Sequence, residues 1–111
     1  MKISWYSRLY VGDKAKKKRY RIIQGIRKSK PGPEIYVITP ASNGNNILDI
    51  YPALALLSPF YKEKEFFILG IAADYWEAME VAGRVIHDLY RKTGSFDLTD
   101  FLNEERKSGK M

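Results

Sequence analysis

Phe66-Phe67-Ile68-Leu69-Gly70-Ile71-Ala72-Ala73-Asp74-Tyr75-Trp76-Glu77-Ala78 holds the change of pattern on which the fold turns. From Phe66 to Ala72 the residues are continuously apolar, as in a strand covered on both faces. Asp74, with Glu77 three positions on, then forms a D-x-x-E variant of the capping box. Beyond it the apolar spacing becomes helical. Tyr75, Ala78, Met79, Ala82, Ile86 and Leu89 form one stripe, and Glu77, Glu80, Arg84, Asp88 and Arg91 form the opposite face, with Glu80 and Arg84 at the favourable i,i+4 spacing. Lys92 in the last turn and Gly94 at the C′ position close the helix. A strand and a long helix that must bury their apolar faces against each other predict an α+β domain.

Upstream, Lys62-Glu63-Lys64-Glu65 is a charged turn, and Ala53 to Leu57 is a short helix begun by Pro52 and stopped by Ser58-Pro59. Glu34 to Thr39 is rich in β-branched and aromatic residues, Asn43-Gly44 tolerates the positive φ of a tight turn, and Ile47 to Tyr51 returns. These three pieces predict a hairpin. Lys30-Pro31-Gly32-Pro33 ends whatever helix precedes it, since neither proline can continue the hydrogen-bond ladder. That helix is Asp13 to Lys28, with Asp13 as its expected N-cap. Ala15, Ile22, Ile23 and Ile26 share one arc of it and Lys14, Lys17, Lys18, Arg21 and Lys28 another. Ile3 to Val11 alternates and reads as an edge strand, with a helix running on from Arg8 as the alternative. After Gly94, Ser95 to Leu102 reads as a short closing helix or turn.

The expected order is β-α-β-β-β-α: a small, mostly antiparallel sheet with the long C-terminal amphipathic helix packed on one face. Residues 1–103 are expected to form a single domain, and 104–111 a polar tail.

The chain has 111 residues, 45% of them hydrophobic, which suits one folded domain. It has no Cys, which excludes disulfides, thiolate chemistry and a four-cysteine zinc site. The net charge of +6 is lopsided: residues 1–30 carry +10 and residues 31–111 carry −4. The N-terminus lacks the pattern of a signal peptide, and the longest apolar run, Ile47 to Tyr61, is broken by Asp49, Pro52 and Pro59. A cytoplasmic location without membrane contact is the expectation.

No catalytic or metal constellation is assigned. His87 is the single histidine, at the rim of the long helix. Gly70 to Asp74 joins strand to helix where phosphate binders place a glycine loop, but it has one Gly and puts a carboxylate where the anion would sit. No carboxylate pair lies in a setting that would split its pKa values. The chain is therefore expected not to be an enzyme, with no cofactor and no small-molecule ligand.

Two surfaces remain. The basic arc of Lys14, Lys17, Lys18, Arg21 and Lys28 reads either as a solvated face that keeps the chain soluble or as a candidate contact for nucleic acid or an acidic partner. Trp76, Gly83, His87 and Tyr90, flanking the stripe of the long helix, read either as an extension of its buried face or as an aromatic protein interface around a glycine. A protein partner or a homo-oligomer is the leading expectation for function, and nucleic-acid binding is the alternative.

The motifs I-Y-V-I-T-P-A-S, N-I-L-D-I-Y-P, L-G-I-A-A-D-Y-W-E-A and T-G-S-F-D-L-T-D-F-L, spread between Glu34 and Leu102, resemble a group of small bacterial proteins of unknown function. The resemblance covers about two thirds of the chain. It implies a compact domain and assigns no site.

Overall fold

The computed structural model describes residues 2–41 and 47–98. The Asn43-Gly44 turn, the end of the closing segment beyond Leu98 and the polar tail lie outside the described residues.

Strand β1 (Lys2–Val11) leads into two short helices, α1 (Asp13–Lys16) and α2 (Arg19–Arg27). Strands β2 (Tyr36–Pro40) and β3 (Leu48–Pro52) follow, then two 3-10 turns (Ala53–Leu57 and Pro59–Tyr61), strand β4 (Glu65–Ala72) and helix α3 (Tyr75–Thr93). The sheet order is β1-β4-β2-β3. β2 runs antiparallel to both β3 and β4, and β1 runs parallel to β4. The fold is α+β with a mostly antiparallel sheet, and Ile3 to Val11 is the edge strand rather than the alternative helix.

Both faces of the sheet are covered. Ile68 and Ile71 of β4 and Val37 of β2 pack with Ala15, Ile22 and Ile26 of α1 and α2. Leu69 and Ala72 of β4 and Ile38 of β2 pack with Ala78, Val81, Val85 and Leu89 of α3. The continuous apolar run of β4 follows directly from this placement, since each of its faces meets a different helical layer. Ile68 and Ile71 share a face although they are three positions apart, so the alternation slips at Leu69-Gly70, where the register against β1 also shifts. Gly70 is required there: a Cβ would lie 2.8 Å from Val81 Cγ1 and 3.2 Å from the Tyr10 carbonyl oxygen.

The basic segment is not one helix. It breaks at Lys17-Lys18, where Lys18 leaves helical geometry (φ −128°, ψ 28°). The break falls in the run Lys16 to Arg19, where a continuous helix would stack cations at i,i+3 and i,i+4 with its neighbours. α2 also stops short of Pro31. Ser29 adopts φ 58°, its N–H donates to the Ile26 carbonyl at 3.1 Å, and the Lys30 N–H donates to the Gly25 carbonyl at 2.7 Å. This is a Schellman closure with Ser in the position that usually holds Gly.

The buried face of α3 is Glu77, Ala78, Val81, Ala82, Val85 and Leu89. It is turned by roughly 70° from the stripe read on the helical wheel. Tyr75 and Met79, expected inside, are about half exposed, and Glu77, expected outside, is only 4% exposed.

Candidate interaction surfaces

The buried carboxylate of Glu77 organises the junction between α3 and the basic segment. Its Oε2 accepts the Lys14 N–H at 2.6 Å, and its Oε1 accepts the N–H groups of Ala15 at 3.2 Å and Ala73 at 3.0 Å. Two of these are free amides at the start of α1, so the cap of α1 comes from another helix. Asp13 does not supply it. Gly12 is the N-cap position without a side-chain bond, and the Asp13 carboxylate faces solvent and pairs with Lys16 at 3.4 Å. A Cβ built on Gly12 would overlap the Glu77 carboxylate, so glycine is what admits it.

Asp74 caps α3 as expected, accepting the Glu77 N–H at 2.8 Å. The return half of the capping box is redirected: the Glu77 side chain reaches Ala73 rather than Asp74. Asp74 also holds the Lys14 ammonium at 2.9 Å. The Glu77 N–H, and next the Lys14 ammonium, keep the Asp74 carboxyl below its ordinary range. Asp74 in turn raises the Lys14 ammonium.

Lys14 is thus drawn into the α1–α3 junction, away from the other cations of its arc. Lys17, Lys18 and Arg21 remain together, lining a shallow groove at the helix break with Lys16, Arg19, Tyr20 and Ile23. Tyr20 stands 77% exposed among them. Lys28 lies apart, as the C-cap residue of α2. Arg27, at the end of α2, places its guanidinium 5.9 Å from the centre of the Trp5 ring.

The outward face of α3 is the second surface. Trp76 is 76% exposed, Tyr90 55% and Met79 48%, and Gly83 and His87 are exposed on the same line. Nothing lies within 4 Å of where a Gly83 Cβ would stand. Trp76 packs edge-on against Tyr75, which packs against Tyr36 of the sheet. Tyr90 stacks on Phe96, ring centres 5.3 Å apart. The four flank residues therefore do not widen the buried face; they form the crest opposite it. Met79, expected inside, joins that crest, and Ile86, also expected inside, is half-buried at its border.

A third feature is a cleft of about 480 Å³ lined by Tyr51, Phe60, Tyr61, Phe66 and Phe67, with Lys64 and Glu65 among its charged lining residues. Its aromatic rings pack edge to face, and Lys64 lies 5.4 Å from the Phe60 ring centre. Thr39, the buried polar residue in its wall, gives its hydroxyl to the Pro40 carbonyl at 3.1 Å.

Among the described residues, no group of three or more His, Asp or Glu is placed to hold a metal ion. None of the described helices is long and apolar enough to cross a membrane. No family model matches the chain, and neither a curated protein nor a solved structure matches it.

Proposed function

We propose that this chain is a non-enzymatic binding domain that works by protein–protein contact through the outward face of α3. The supporting observation is Trp76, three quarters exposed at the head of a line that continues through Met79, Gly83 and Tyr90. Isolated exposed apolar residues are ordinary, but an aligned stripe with aromatic anchors at both ends is the composition of an interface core. Gly83 at its middle lets another helix approach closely. A pull-down comparing the intact chain with Trp76→Glu and Tyr90→Glu tests this reading. Both variants should lose the partners of the intact chain while keeping its circular dichroism spectrum. Equal capture by all three overturns it.

The basic groove favours a second reading, contact with nucleic-acid phosphates. Its support is the exposed Tyr20 set among Lys17, Lys18, Arg19 and Arg21, cations for which the described residues supply no acidic partner. About four phosphate contacts would give a log–log salt dependence of roughly −3.6 on duplex DNA. Absence of any complex at low salt removes this reading.

A further inference from the structure

We infer that the partner of the α3 face is a second copy of this chain, docked antiparallel with Gly83 at the two-fold axis. The inference rests on the proposed role of that face and names its occupant.

The face is self-complementary, which an interface between identical copies requires. Seven residues on either side of Gly83 stand the aromatic anchors, Trp76 and Tyr90; four on either side stand Met79 and His87. In an antiparallel pair centred on Gly83, Trp76 meets Tyr90 of the second copy and Met79 meets its His87. A parallel pair would also set Gly83 on Gly83, but it would bring every other residue against itself, Trp76 on Trp76 and Met79 on Met79, instead of pairing unlike side chains.

The charges agree with this register. Glu80, Arg84 and Arg91 lie along one side of the crest, within about 40° of each other on the helix. A two-fold axis keeps that side facing the same side of the second copy. Glu80 and the second copy's Arg84 then sit about 3 Å apart along the axis, at 1.5 Å rise per residue, and the reciprocal pair forms by symmetry. Arg91 comes within one residue, about 1.5 Å along the axis, of the second copy's Trp76, within reach for a guanidinium over an indole. The two Arg84 side chains also come about 3 Å apart along the axis, and each is flanked by a Glu80 carboxylate of its own helix and one of the second copy, so that the cluster of four charges is neutral. Gly83, which has open space in place of a Cβ neighbour, lets the two backbones close at the crossing point. A helix pair of this length is at the small end of stable interfaces, about 1,200 Å² in total, so the dimer is concentration-dependent.

The test uses the full chain, which has no Cys of its own. Sedimentation equilibrium across the micromolar range should show a monomer–dimer transition. Gly83→Gln should weaken it about tenfold or more, because a side chain is forced into the crossing point. Glu80→Arg and Arg84→Glu should each weaken association, and the double exchange should restore it. Under mild oxidation, a mixture of Met79→Cys and His87→Cys chains should cross-link to each other while neither cross-links alone. Self-cross-linking of Met79→Cys overturns the antiparallel register. A strict monomer at every concentration overturns the second copy as occupant. If that monomer still captures another protein in a Trp76-dependent way, the wider reading of the face survives; if Trp76→Glu changes nothing, that reading falls as well.

Discussion

Glu77 of α3 and Gly12 at the end of β1 share one space: the carboxylate lies where a side chain at position 12 would have to be. From there it accepts the N–H groups of Lys14, Ala15 and Ala73, joining the start of α1 to the start of α3 across more than sixty residues of sequence. The basic segment is held on the sheet by this contact together with the burial of Ala15, Ile22 and Ile26.

Gly12→Ala should therefore destabilise the chain although its backbone (φ −63°, ψ 153°) suits any residue. The methyl group displaces the carboxylate, combining overpacking with lost hydrogen bonds, for about 3 kcal/mol. The denaturant midpoint measures it, and an unchanged midpoint contradicts the shared space.

Glu77→Gln and Glu77→Ala should differ in size. Gln keeps an oxygen for Ala15 and Ala73 but sets an amide NH₂ against the Lys14 N–H, at a cost of about 2 kcal/mol. Ala leaves all three N–H groups without the carboxylate and should cost about 4 kcal/mol. Equal losses would mean that the packing of the stem, rather than the carboxylate, holds the junction.

The Lys14–Asp74 pair sets a pH window. Asp74 is held below its ordinary 3.8, so its contribution is complete above that value and is lost as pH falls through the depressed one. Lys14 is raised above its ordinary 10.5, so its contribution is complete below that value and is lost as pH rises through the raised one. The stability gap between the intact chain and Lys14→Ala should be constant through neutral pH and close at both extremes. It should be small and reduced by salt, since the lysine faces solvent.

One substitution type should act in both directions along the chain. Gly83→Ala should stabilise the monomer by about 0.8 kcal/mol, since the site is an open helix interior. Gly70→Ala should destabilise it by about 2 kcal/mol, since the methyl group meets Val81 and Tyr10. Ser29→Gly should stabilise it by about 1 kcal/mol by relieving the left-handed serine. Thermal unfolding of the monomer at low concentration ranks the three.

The pattern of residues made much of this fold legible. The strands were readable because β-branched and aromatic runs ended at clear breaks, and Asp74 and Gly94 marked both ends of α3. The orientation of α3 was not readable. Met79 and Ile86 are as apolar as Val81 and Val85, so the helix is apolar over more than half its circumference and a wheel cannot choose which part faces the sheet. That surplus is itself the signal for the exposed crest of Trp76, Met79, Gly83 and Tyr90. Glu77 was legible as part of a cap but not as the cap of α1, because no local pattern connects it to Gly12. The break at Lys17-Lys18 had a sequence cue in its crowded cations, which the continuous apolar arc of Ala15, Ile22, Ile23 and Ile26 outweighed.

The environment of Trp76 reports most directly on whether the α3 face meets a second copy. The chain has two tryptophans, so Trp5→Phe leaves Trp76 as the sole indole. Its emission should shift to the blue, and its quenching by acrylamide should fall, as concentration rises through the micromolar range; adding Gly83→Gln should suppress both changes. Emission that stays solvent-like and equally quenched at every concentration would contradict docking of a second copy on this face.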